Sequence, residues 1–171
     1  GLPDDHIHFM ALPFYETGKT VKNPVTEVDV QLTMELLQKI KPHQVFAAGD
    51  FADPHGTHIV CFRIVEEALR RLLKTEEWAQ DCWLWMYRGA WHEFETHEIE
   101  MAVPLSPQEV QRKRFAIFKH QSQKDRPVFP GDDEREFWVR AEERTRETAQ
   151  SYDALGLADY EAMEAFVRWK F

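Results

Sequence analysis

The sequence predicts an α/β domain: a Rossmann-like parallel sheet with flanking helices, its early strands missing, followed by C-terminal helices. Three observations carry this. Short apolar runs alternate with amphipathic stretches of helical period through roughly residues 1–103. The run QVFAAGD, Gln44–Asp50, is apolar on both faces, as a strand buried inside a parallel sheet must be. Beyond that point helix-start signals dominate, so one partial domain is expected over residues 1–171, with 1–103 as a sheet-and-helix core and 104–171 as a helical part.

Taken in order, HIHFMALPF (His6–Phe14) reads as a short strand that Pro13 helps to stop, and YETGKTVKNP as a loop. Thr26 caps a helix, Asp29 completes a capping box three residues on, and Pro42 ends it. Val28, Leu32, Leu36 and Ile40 recur every four residues and form its expected buried stripe. After the strand at 44–50 a second helix runs from about Gly56 to Lys74, with Ile59, Phe62, Leu69, Leu72 and Leu73 facing inward. CWLWMY, Cys82–Tyr87, is the next strand. A β-α-β-α-β order with right-handed crossovers makes the sheet parallel. An irregular segment then carries a strand at Glu98–Val103. Ser106, Pro107 and Glu109 open a helix that continues to Lys119. Two further helices are expected, from about Asp133 to Tyr152 and from Asp159 to Trp169, separated by Gly156. Their charges, such as Glu136 and Arg140, read as a solvated face.

Composition excludes several functions. With 21 basic and 30 acidic side chains, the formal charge of −9 repels a phosphate backbone, and no basic stripe overrides it, so nucleic acid is not an expected partner. No apolar run approaches the roughly 20 residues that span a bilayer, so no membrane association is expected. The start, GLPDDHIHFM, has no signal-peptide pattern and no initiator Met, which points to a piece of a longer polypeptide. Cys61 and Cys82 are too few for a disulfide framework, so the expected location is the reducing cytoplasm.

The chemistry concentrates in DPHGTH, Asp53–His58. His55 and His58 lie where a parallel strand ends and the next helix begins, the place where open α/β sheets bind ligands. Positions three apart share a helix face, so both imidazoles can reach one pocket, with Asp53 beside them. Imidazole is a zinc ligand, and a catalytic zinc takes about three protein ligands and one open position. The plainer alternative is that His55 merely sits in the helix's first turn and His58 packs on the sheet. A complete small hydrolase using Asp4, Asp5, His55 and His58 is a further alternative, although LPDD (Leu2–Asp5) reads as a turn. His92 and His97 read as loop residues, and His6, His8 and His43 as structural. His120 either approaches the pocket or caps the last carbonyls of its helix.

Two stretches carry a family resemblance. IKPHQVFAAGDFADPHGTH is similar to the second metal motif of the LmbE-like (PIG-L) de-N-acetylases, in which a strand ends before an HxxH pair. KRFAIFKHQSQ, Lys113–Gln123, is similar to that family's late helix, which ends in H-x-S-Q. PFYETG, YRGAWHEFETHEIEMAVPLSP, HQSQKDRPVFPG and EREFW extend the likeness nearly end to end, toward a bacterial architecture in which such a domain is fused behind a glucosamine-6-phosphate deaminase.

This resemblance implies a zinc-dependent hydrolase acting on an N-acyl amino sugar in the intact parent. His58 would be the third zinc ligand, and His55 would stabilise the oxyanion or protonate the leaving amine. The family's first motif, H-P-D-D, supplies a His ligand, an Asp ligand and an Asp base. It is absent here, because LPDD lacks the His and comes too late in the fold. The implied missing ligands therefore lie upstream, leaving this chain inactive and without zinc on its own. Thr57 also stands where the family often has Asp before its second His. The alternative is a non-catalytic appendage that helps the fused deaminase assemble or bind a regulator. Exposed aromatics around Trp91 and Phe94 fit that role, whereas Trp83 and Trp85 read as buried strand residues. Missing early strands would leave a sheet edge open, which predicts a homo-oligomer.

Overall fold

The computed structural model describes residues 2–16, 19, 21–51, 56–89, 93–121 and 134–171. Its elements are α1 (Glu27–Ile40), β1 (Gln44–Ala48), α2 (Thr57–Thr75), β2 (Trp83–Tyr87), β3 (Met101–Leu105), α3 (Pro107–Phe118), α4 (Phe137–Ala154) and β4 (Ala162–Trp169), with short 3-10 turns at Asp4–His6 and Glu77–Asp81. The four strands form one sheet in the order β1-β2-β4-β3.

Local chemistry sets the helix starts. Asp29 Oδ2 accepts the N–H and the hydroxyl of Thr26 at 2.8 Å each, while its Oδ1 accepts the Phe14 N–H at 2.9 Å. That one carboxylate therefore both caps α1 and ties down the chain before it. Burial pushes the Asp29 carboxyl up, but the donations from Thr26 and Phe14 outweigh it and hold the group below the usual carboxylate range. At α3, Ser106 Oγ accepts the Glu109 N–H at 3.3 Å and the Glu109 carboxylate accepts the Ser106 N–H at 2.8 Å, the reciprocal box the sequence announces.

The α/β class stands, and β1 and β2 are parallel as expected. The sheet as a whole is mixed, because β4 runs antiparallel to both β2 and β3. That strand replaces the helix expected over Asp159–Trp169. Met163, Ala165, Val167 and Trp169 alternate with Glu164, Phe166 and Arg168, and a period of two suits a strand hydrogen-bonded on both sides. The strand expected at His6–Phe14 does not form. Ala11 is left-handed (φ 47), which interrupts any extended run, and Phe9 is 93% exposed. β1 stands at the edge of the sheet rather than at its centre. The third strand and the penultimate helix start later than expected, at Met101 and Phe137, and Asp133 lies outside the described residues.

The sheet has two differently covered faces. Phe62, Leu69 and Leu72 of α2 pack on Leu84 and Met86, with Val45, Ala47, Val167 and Trp169 around them and α1 alongside α2. Each large apolar side chain buried there contributes about 1.5–3 kcal/mol. Within α1 the buried stripe is Val30, Thr33 and Leu37, while Val28 and Ile40, expected inside, are exposed. On the opposite face α3 and α4 cover the β4–β3 side, where Lys113 and Arg144 both pair with Glu164. Of the charges expected on a solvated face, Glu136 is exposed but Arg140 is buried, as are Glu142 and Arg144. Phe94 is likewise buried in the core rather than exposed, Trp85 is buried as expected, and Trp83 is 41% exposed. Among the described residues no helix is long and apolar enough to cross a membrane.

Candidate functional site

The parallel pair β1–β2 ends in a polar corner built on close backbone approaches. Gly49 continues the ladder past β1 by donating its N–H to Tyr87 O at 2.7 Å. A Cβ at Gly49 would stand 2.9 Å from Met86 Cβ, so only glycine lets the two strands run this close. The turn that follows drives Asp50 inward to 2% exposure. Across the corner, Gly89 donates its N–H to Asp50 Oδ2 at 2.7 Å, again an approach with no room for a side chain.

α2 begins here. Gly56, left-handed at φ 65, precedes Thr57, and His58 occupies the first turn. His58 Nδ1 lies 3.8 Å from Asp50 Oδ2, beyond direct hydrogen bonding but close enough for strong electrostatic coupling. Nδ1 is buried, while the His58 side chain as a whole is 42% exposed. A carboxylate close behind a histidine ring at a strand end is a setting in which proteins use the imidazole as a ligand.

Charge around the corner is balanced at close range. Burial pushes the Asp50 carboxyl up; the Gly89 N–H and the nearby His58, Arg88 and Arg144 counter this in part, and the net shift remains upward. Asp50 Oδ1 is buried without a hydrogen-bond partner among the described residues. Burial also raises the Tyr87 phenol, with Asp50 and Cys61 adding to the shift. Behind them Arg144 joins Glu93 to Glu164, at 3.3 Å for the latter, and the Thr148 hydroxyl donates to Glu93 at 3.4 Å. Burial raises the Glu93 carboxyl against the pull of Arg144. The Arg88 guanidinium lies 4.5 Å from the centre of the Phe94 ring.

Of the residues singled out in the sequence, the structure places His58 in this corner, while Asp53 and His55 lie outside the described residues. His120 is exposed just past α3, a helix that packs on α4 and β3. His92 and Trp91 lie outside the described residues, and Asp4 and Asp5 sit in an exposed 3-10 turn. Among the described residues no group of three or more His, Cys, Asp or Glu side chains is arranged to hold a metal ion. Sequence reasoning passed over Asp50, Arg88, Gly89, Glu93 and Arg144. Asp50 had a readable signal, an acidic residue after glycine at the end of an apolar strand. Arg144 had none, because a charge inside a polar helix looks solvated until the packing is known.

No protein-family model matches the chain. The chain is 58% identical over 171 residues to a glucosamine-6-phosphate deaminase-like protein of Bacteroides thetaiotaomicron. The match takes in 98% of this chain and 26% of that relative, so the chain spans about a quarter of the curated relative it matches.

Proposed function

We propose that the chain is the C-terminal part of a metal-dependent N-deacetylase-like domain within a longer amino-sugar-processing protein of the glucosamine-6-phosphate deaminase-like kind. The observation that carries this reading is the Asp50–His58 pairing at the carboxyl end of β1, with the buried His58 Nδ1 3.8 Å from the Asp50 carboxyl. The similarity to the Bacteroides protein supports the amino-sugar setting. His58 is the zinc ligand that these residues offer, and Asp50 stands behind its ring. When bound, the metal supplies a water that ionises near neutral pH. His55 is assigned to steadying the developing oxyanion or protonating the leaving amine, on the strength of the family likeness. The donor set among the described residues falls short of the roughly three ligands a catalytic zinc requires. The remainder is assigned to residues upstream of this chain, which on its own is inactive.

Zinc titration by calorimetry tests this. The 171-residue chain should show no tight one-to-one binding, whereas the longer polypeptide should bind one zinc per chain and lose it on His58→Ala. The same longer protein should release acetate from an N-acetylated amino sugar. Tight binding by the chain alone, abolished by His58→Ala, would place the whole site within these residues and refute the partial-domain reading. A second reading, a non-catalytic appendage that assembles its parent, draws support from the half-exposed aromatics Phe46, Trp83 and Tyr87 on the sheet. A longer polypeptide that binds no zinc yet loses its oligomeric state when this part is removed would favour it.

A further inference from the structure

Two unfinished surfaces meet at β1. Among the described residues β1 has a strand neighbour on one side only, β2, so its other edge presents unpaired backbone groups. On the face of the β1–β2 pair turned away from α2, Trp85 is buried but Phe46, Trp83 and Tyr87 around it stay part-exposed among the described residues. Trp83, Trp85 and Tyr87 alternate along that face, Phe46 stands in register with Trp85, and Phe166 and Arg168 stand opposite Tyr87 and Trp85. Five aromatic side chains and Arg168 share this face: Phe46 and Phe166 rings are 5.3 Å apart, Trp83 and Trp85 rings 5.9 Å, and Arg168 lies 3.9 Å over Trp83. α3 and α4 cover the β4–β3 side of this face but leave Phe46 46% and Tyr87 38% exposed. Parallel strands are normally covered on both faces, because their crossover connections place helices there. A parallel pair with an open edge and part-exposed aromatics beside it leaves room for one more β-α unit.

We infer that a β-α segment of the same polypeptide, outside these 171 residues, completes the sheet: its strand adds to the free edge of β1 and its helix lies over Phe46, Trp83 and Tyr87. The inference rests on the partial-domain reading above and adds where the rest of the domain docks. Three considerations select this occupant over a second copy of the chain. The chain matches 26% of its Bacteroides relative, which leaves ample polypeptide to supply the unit. Two copies each carrying a net charge of −9 repel one another. The edge of a five-residue strand also falls far short of the roughly 1,200–2,000 Å² that a stable interface buries, whereas a tethered segment acts at an effective concentration of order millimolar.

Hydrogen–deuterium exchange, compared between the 171-residue chain and the full-length polypeptide that carries it, tests the inference. Peptides covering 44–48 should be protected at least about tenfold more strongly in the longer protein. Phe46→Lys should lower the melting temperature of the longer protein by about 5 °C or more while moving that of the 171-residue chain by about 1 °C or less. Equal exchange of 44–48 in both proteins would overturn the inference. So would a dimer of the chain, seen by light scattering, that Phe46→Lys dissociates, since it would assign the surface to a second copy. If the substituted long protein fails to fold, the exchange comparison on the unsubstituted proteins decides alone. Zinc binding is a separate readout: its absence with β1 protected sinks the deacetylase-like reading only, and its presence with β1 unprotected sinks this one only.

Discussion

Replacing Asp50 separates its two roles, as an acceptor and as a charge. Asp50→Ala removes the oxygen that accepts the Gly89 N–H at 2.7 Å and leaves that donor stranded in a buried corner. Stranding a buried donor costs about 2 kcal/mol, which for a chain of this size lowers the melting temperature by about 4–8 °C. Asp50→Asn keeps an acceptor in place and removes the charge. The Asp50 carboxyl is raised in the fold by burial, so its ionised form is disfavoured there. A group raised in this way contributes stability that is fully present below its unfolded pKa, near 4, and is lost as pH rises through the folded value. The wild-type chain should therefore lose this increment of stability as pH climbs from about 4, and Asp50→Asn should not. Melting curves followed by near-UV circular dichroism at acid, neutral and mildly alkaline pH give the comparison. Asp50→Ala should melt lowest throughout, and Asp50→Asn should match or exceed wild type at pH about 8. If Asp50→Asn falls as far as Asp50→Ala, with a gap to wild type that widens as pH rises, then His58, Arg88 and Arg144 more than offset the burial, and the corner is a stabilising ion cluster rather than a strained carboxylate.

Other perturbations have equally definite outcomes. Asp29→Ala strips the cap from α1 and the tether from Phe14, and should cost about 1–2 kcal/mol in chemical unfolding. The Asp29 carboxyl is held low in the fold, so its stabilisation is present above pH about 4 and fades as pH falls through its depressed value. Asp29→Asn should accordingly flatten the acid limb of a melting-temperature profile. Arg144→Met leaves Glu93 buried without its cation, which should cost about 3–5 kcal/mol. Adding Glu93→Gln should restore much of that loss, and a double-mutant cycle in urea reads the coupling.

The α1–β1–α2–β2 frame was legible because its signals are local. Thr26 and Asp29 are three residues apart, and the apolar run from Val45 to Ala48 needs no distant information to read as a strand. The final segment was not legible, because Glu161, Glu164 and Arg168 fall three and four apart, a helical spacing of charge. Its competing period of two is realised only because β2 and β3 both offer it hydrogen bonds. His6–Phe14 failed for the converse reason: it alternates like a strand, but no described strand pairs with it. The place of His58 in the first turn of α2 was readable from sequence alone. Asp50 and Arg144 acquire their meaning from Gly89 and Glu93, partners 39 and 51 residues away.

The place of β4 sets the order in which this chain can mature. It is the last of the described strands in sequence, yet it lies between β2 and β3, and β3 has no other strand partner among the described residues. During synthesis β3 therefore emerges from the ribosome with neither edge engaged and waits about 60 residues for β4, an interval of several seconds at typical elongation rates. Truncation before Ala162 would thus undo the sheet from its middle rather than trim its end.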